Sequence, residues 1–266
     1  MTNAAHAAAH FDRLRAARPL VHNITNYVAM DISANALLAL GASPAMIHAP
    51  EEAGEFAGLA SALVLNIGTL SKEWVEGMMN AADAAEAKGT PIVLDPVGAG
   101  ATAYRTEVAR ALVAKSTVVR GNASEILALA GDAAGPTRGV DATDPVEAAL
   151  QGARALAKNH GVVVAVTGEV DLVTDGERTL RVRGGSPLMA QVTAMGCSAT
   201  AAVGAFLGTP GEPPLAGTAH ALLAFGLAGT EAAKVSQGPG SFRVAFMDAL
   251  AALTPERIAE APEIEA

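Results

Sequence analysis

The chain has 266 residues, 51% hydrophobic and 17% charged, with nine aromatic side chains and a formal net charge of −9. That hydrophobic fraction excludes a disordered chain, and the acidic balance argues against nucleic-acid binding, which needs a basic face. One cysteine excludes an internal disulfide and a four-cysteine zinc site, and points by default to a reducing, cytoplasmic compartment.

The first 19 residues lack the basic head and Leu-rich core of a secretory signal. His6 and His10 have the i, i+4 spacing of a helical metal pair, but no third ligand is in view, so the spacing reads as chance. Apolar runs suited to strands fall at 20–22, 45–48, 62–67, 91–97, 117–120, 162–167, 171–174 and 179–182. Helix-like stretches lie between them at 31–40, 51–60, 72–88, 105–114, 125–129 and 144–159, and later at 196–207, 215–235 and 241–253. Runs such as Ile92-Val93-Leu94 and Val162-Val163-Val164 lack polar alternation, as in parallel strands covered on both faces. Residues 184–211 carry no charge. Their Gly, Pro, Gln and hydroxyl residues lack the apolar density of a membrane span, so they read as buried backbone around a site. The pattern predicts one α/β domain over 1–266, a doubly wound, mostly parallel sheet with helices on both faces. Residues 1–13 and 255–266 are expected to fray.

Ligands in such sheets bind beyond the carboxyl ends of the strands, which directs attention to five turns. Asp95-Pro96-Val97-Gly98-Ala99-Gly100 places a carboxylate and glycine-rich backbone after a strand. That suits a hydrated magnesium ion beside phosphates, or an ordinary Asp-Pro turn. In Arg120-Gly121-Asn122-Ala123-Ser124-Glu125, Asn122 and Glu125 have capping-box spacing. The functional alternative puts Glu125 beside the metal and Arg120 on a phosphate. Val166-Thr167-Gly168-Glu169 offers a hydroxyl to a phosphate, or a plain turn. Val192-Thr193-Ala194-Met195-Gly196-Cys197-Ser198 opens a small-residue helix whose first N–H groups could form an anion hole. Cys197 in that first turn would have its thiol pKa lowered by the helix dipole. Asn23, Thr25 and Asn26 lie within four residues, and Met46 follows 20 residues on. They suit a neutral polar heterocycle, or equally a helix cap and a core methionine.

Together the segments PLVHNITNYVAMDISANALLALGASPAMIHAPEEA, LDPVGAGAT, RGNASEI, AVTGEVD and VTAMGCSATA resemble the hydroxyethylthiazole kinase family of the ribokinase-like superfamily, over about residues 14–246. The resemblance implies transfer of phosphate from ATP to the hydroxyl of 4-methyl-5-(2-hydroxyethyl)thiazole, with magnesium, in thiamine salvage. It implies Asp95 and Glu125 at the metal, Arg120 and Thr167 at ATP, and Met46, Asn23 and Ala194 at the thiazole. Gly196 and Cys197 match the anion hole and the residue nearest the reacting hydroxyl. A homotrimer with sites at subunit interfaces is implied too, with no nucleic-acid or membrane partner. The family usually carries glycine where this chain has Ala194. A backbone contact to substrate survives there if φ is negative, although the methyl group narrows the pocket. On the residues alone, three other readings stay open. They are a thiol enzyme using Cys197 as nucleophile, a non-catalytic nucleotide-binding module, and a kinase for a hydroxymethylpyrimidine-type alcohol.

Overall fold

The computed structural model describes residues 2–131, 145–262 and 264–266. One eight-stranded sheet runs in the order β2-β1-β3-β4-β5-β6-β7-β8. Its strands are β1 Leu20–Ile24, β2 Ser43–Ala45, β3 Ala62–Asn66, β4 Ile92–Asp95, β5 Val118–Asn122, β6 Val163–Thr167, β7 Val170–Thr174 and β8 Thr179–Arg183. The first six pair in parallel, and the β7 and β8 pairings are antiparallel. The second strand lies at 43–45 rather than at the expected 45–48, because Ser43, Pro44 and Ala45 are the residues opposite Leu20, Val21 and His22.

Strand side chains alternate between two cores. Leu63, Leu65, Ile92 and Leu94 face one layer, and Val64, Val93, Val118 and Val163 face the other. The first layer holds α3 Pro50–Ala57, α4 Lys72–Lys88, α5 Ala103–Val113, α6 Ala123–Ala130 and α7 Pro145–His160. The start of α7 expected at residue 144 lies outside the described residues. The second layer holds α1 Ala4–Ala17, α2 Met30–Leu40, α8 Met195–Leu207, α9 Pro214–Val235 and α10 Pro239–Ala252. Strand order reverses at β1, with β2 on one side and β3 on the other, so the binding crevice of a doubly wound sheet belongs there.

The ends of the chain differ from the expectation of fraying. Helix α1 buries Ala7, Phe11 and Leu14, which are spaced to share one face, and Asn3 caps it by accepting from the His6 N–H at 2.9 Å. At the other end, α11 Pro255–Ala259 buries Ile258. Glu265 then exchanges two backbone hydrogen bonds with Arg181 of β8, at 2.7 and 3.0 Å. Composition suggested solvated tails; the few apolar residues among the alanines and acids decide otherwise. His10 is buried against His220, with Nδ1 to Nδ1 at 3.1 Å, while His6 is exposed, so the two do not face a common ion. Among the described residues no helix is long and apolar enough to cross a membrane.

Candidate active site

Strand parity assembles the site. Val64, Val93, Val118 and Ala165 face the α8 layer, so Asn66, Asp95, Arg120 and Thr167, each two residues later, face it too. By the same count from Val21, Asn23 of β1 joins them. All lie toward the carboxyl ends of parallel strands, and Asn66, Asp95 and Arg120 lie against the start of α8.

A chain of amides links the two sides of this crevice. Asn26 Nδ2 donates to Asn66 Oδ1 at 2.9 Å and to Cys197 Sγ at 3.4 Å. Asn66 Nδ2 donates to Asp95 Oδ2 at 2.9 Å, and Thr200 Oγ1 donates to the same oxygen at 2.8 Å. Arg120 Nη1 stands 3.8 Å from it. Asp95 is 1% exposed, and burial raises its pKa to about 6 against the opposing pull of Arg120, with Glu125 adding to the rise. Glu125 completes the capping box of α6 and also ties that helix start to the loop after β4. Its Oε2 accepts from the Asn122 N–H at 2.9 Å, and its Oε1 reaches across to the Gly98 N–H at 2.9 Å.

Arg120 and Thr167 meet directly, Nη2 donating to the threonine hydroxyl. With Gly196 they line a cleft of about 890 Å³, together with Gly168, Asp171 and Phe225. A Cβ on Gly196 would stand 2.8 Å from Arg120 Nη1, so only glycine lets the guanidinium lie against the start of α8. Residues 184–191, expected to be buried backbone around a site, do lie around this cleft, with Gly185, Pro187 and Met189 on its wall, but they are not buried. Of residues 184–211, the buried ones are Val192, Thr209 and the body of α8.

Two details correct the sequence reading. Ala194, at the N-cap of α8, has φ +60 and ψ 13, so the negative φ required above is not met. Its position explains the family's glycine. The Ser198 N–H donates to the Ala194 carbonyl at 2.9 Å, which leaves the N–H groups of Gly196 and Cys197 for an anion. The Cys197 thiol is pushed up, not down, by burial and by Asp95. Its polar neighbours are Asn26, Asn66, Asp95 and Arg120, with no histidine to activate it as a nucleophile.

On the far side of the crevice, Asn23 is 2% exposed and neither polar atom of its side chain has a partner. A buried amide so placed calls for a hydrogen-bonding ligand. Met46 is half-buried directly after β2, beside β1. Asn66 and Thr200 escaped notice in the sequence. Asn66 had a signal, since VLNIG repeats the plan of VLDPV, a polar residue closing an apolar run.

Magnesium fits this donor set only as a hydrated ion. Among the described residues no group of three His, Cys, Asp or Glu side chains could hold a metal ion, and each Glu125 oxygen already accepts a backbone N–H. Magnesium keeps waters and shares phosphates, so one buried carboxylate and one nearby suffice.

A family model described as the hydroxyethylthiazole kinase family matches residues 11–256. The hydroxyethylthiazole kinase of Cereibacter sphaeroides is 57% identical over 258 residues, 97% of each chain. That of Rhizobium etli is 58% identical over 250 residues, 93% of this chain and 96% of its own. The solved structure of hydroxyethylthiazole kinase from Pyrococcus horikoshii superimposes with a TM-score of 0.89 at 43% identity, covering 97% of this chain and 98% of that one. Pyridoxal kinase from Staphylococcus aureus, in complex with AMP-PCP and pyridoxal, has a TM-score of 0.60 at 20% identity over 80% of this chain and 88% of its own, and shares the fold alone. On this near-complete coverage, the chain belongs to the hydroxyethylthiazole kinase family.

Proposed function

We propose that the family's reaction runs at the first turn of α8, between a nucleotide side built on Arg120 and Thr167 and an alcohol side built on Asn26 and Cys197. By its membership the chain is a kinase that phosphorylates the hydroxyl of 4-methyl-5-(2-hydroxyethyl)thiazole, a step of thiamine salvage. The amide chain from Cys197 through Asn26 and Asn66 to Asp95 carries the reading, because it fixes the distance between the acceptor side and the phosphate side.

ATP lies in the cleft with its phosphates toward Arg120, Thr167 and Gly196. Asp95, with Glu125 nearby, would hold a hydrated magnesium ion. Bound there, the ion offsets the triphosphate charge and the repulsion between the two carboxylates. The N–H groups of Gly196 and Cys197, with Arg120, face the charge that develops on the transferred group. Transfer of this kind passes through a loose transition state, so positioning and charge neutralisation supply most of the acceleration. Cys197, whose thiol burial keeps protonated, therefore acts by placing the alcohol rather than by taking its proton. Asn23 and Met46 hold the thiazole ring, the amide on its polar edge and the thioether on its face.

The acceptor is tested by a coupled ATPase assay across heterocyclic alcohols. The thiazole alcohol should give the highest kcat/KM, and preference for a hydroxymethylpyrimidine would overturn the assignment. Seating of the ring can be followed without turnover. Trp74, the chain's only tryptophan, stacks on His48 at 3.9 Å, two residues after Met46, and its fluorescence should change with thiazole. Arg120→Ala should weaken ATP binding and leave this fluorescence titration unchanged; the reverse result moves Arg120 to the alcohol side. Tyr27 and Val28, 63% and 62% exposed just beyond Asn26, offer apolar surface for the homotrimer the family resemblance implies. Light scattering should return three chain masses in solution. A cytoplasmic setting suits ATP as co-substrate and an unpaired thiol.

A further inference from the structure

Parallel pairing of β3 with β4, Asn66 opposite Asp95, makes the loops that follow them leave the sheet side by side. Their carbonyl groups converge on one point, and a cation fills it. Arg105, in the first turn of α5, donates from Nη1 to the carbonyls of Ile67 and Val97, the latter at 2.9 Å, and from Nη2 to the Gly68 carbonyl at 3.2 Å. Among the described residues no carboxylate pairs with it. The glycine-rich loop is shaped to its stem: Gly98 has φ +73, and a Cβ there would stand 3.0 Å from Arg105 Cδ. The same loop is gripped from the opposite side, where the Gly98 N–H donates to Glu125.

We infer that Arg105 is a positioning residue for phosphoryl transfer, its guanidinium clamping the turn that carries Asn66 to the loop that carries Asp95. Three carbonyl dipoles aimed at one point repel unless a multi-donor cation joins them, and the rigid planar fork of arginine meets them from two nitrogens, Nη1 and Nη2, where lysine offers one on a flexible stem. The consequence runs both ways from Asn66. Its Nδ2 fixes Asp95, and its Oδ1 fixes Asn26 and through it Cys197. Releasing the clamp shifts the phosphate side and the alcohol side relative to each other, without removing any group that touches a substrate. The inference rests on the site proposed above.

The test compares Arg105→Ala, Arg105→Lys and Asp95→Asn. Displacements of about 1 Å reduce turnover by about 100-fold, so kcat of Arg105→Ala should fall by roughly 10- to 100-fold, with the thiazole KM within about threefold of the parent. Methylguanidinium at tens of millimolar should restore part of that kcat, and Arg105→Lys should lie between parent and Ala. Calorimetry with ADP supplies a readout apart from activity. Arg105→Ala should lose the gain in affinity that magnesium confers on the parent while binding ADP normally in EDTA. Unchanged kcat, or a fall that methylguanidinium does not relieve and that follows a lowered melting temperature, overturns the positioning role. Asp95→Asn separates the two levels. If it is inactive while Arg105→Ala is unaffected, the clamp alone is refuted; if both retain parental activity and magnesium dependence, the site itself is misplaced.

Discussion

Replacing Ala194 by glycine should stabilise the protein, against the usual direction of an alanine-to-glycine change. An L-residue in the left-handed region, here at φ +60, costs roughly 1–2 kcal/mol because Cβ crowds its own carbonyl. Glycine removes that strain but raises the entropy of the unfolded chain, by about 0.4–1 kcal/mol. The lost methyl group is partly buried against the core around α8, so a few tenths more are forfeited. The balance is a gain of roughly 0.5 kcal/mol, or about 1–2 °C in Tm for a chain of this size. At an ordinary helix N-terminus, with φ near −60, the same substitution would lose stability. Scanning calorimetry and urea midpoints should therefore agree on a small increase for Ala194→Gly and a clear decrease for Ala194→Val, whose branched side chain tolerates this region worse. A thiazole KM measured alongside shows whether the methyl group narrows the pocket. If Ala194→Gly lowers stability by about 1 kcal/mol or more, the backbone is not strained there and this account of the family's glycine fails.

Asp95→Asn should keep or raise the melting temperature, since it removes a buried charge whose pKa is already about 6, yet lower turnover by about 100-fold and raise the magnesium requirement. Glu125→Gln should lower both, because an amide cannot accept from the Gly98 and Asn122 N–H groups at once; a stable, fully active variant refutes its placement. Cys197→Ser should retain measurable kinase activity, and a folded, ligand-binding but dead variant would restore the thiol to the chemistry. Acid should weaken the fold through His220, whose pKa burial lowers to about 3. Its contribution is complete above the ordinary value near 6.5 and is lost, at most about 1.4 kcal/mol per pH unit, as pH falls from there toward 3 and only the unfolded chain takes up the proton. Asp95, with a raised pKa, works in the opposite direction between about 6 and 3.8. Urea titrations from pH 7 to 5 should show a shallower decline for His220→Gln than for the parent, and equal slopes would exclude His220 as the source.

Much of the sheet was legible because β3, β4, β5 and β6 each begin as a short apolar run and end on a polar residue. The site residues Asp95, Arg120 and Thr167 stood out as those endings. Asn66 is the same kind of ending, and its one local signal, the likeness of VLNIG to VLDPV, is weak because asparagine after an apolar run has many ordinary uses. Thr200 is less visible still. It sits mid-helix among alanines, and its role appears only once α8 lies across β3 and β4. The thiol's environment was misjudged for a related reason: the helix start was visible in the sequence, while the burial and the Asp95 carboxylate that outweigh it come from elements about 100 residues away. Helix α1 was missed because alanine carries little hydrophobic contrast, and only Phe11 and Leu14 mark its buried side.

Strand β8 lies at the outer margin of the sheet, where one row of backbone donors and acceptors has no neighbouring strand. Such margins recruit other chains and seed aggregates. Here a single residue, Glu265, occupies part of that row with its own N–H and carbonyl, and its carboxylate pairs with Arg183 at 3.3 Å on the same strand. At the opposite margin, β2 is only three residues long. The acidic end of the chain thus works as a guard against edge-to-edge association, and solubility, more than catalysis, is the property most exposed to changes there.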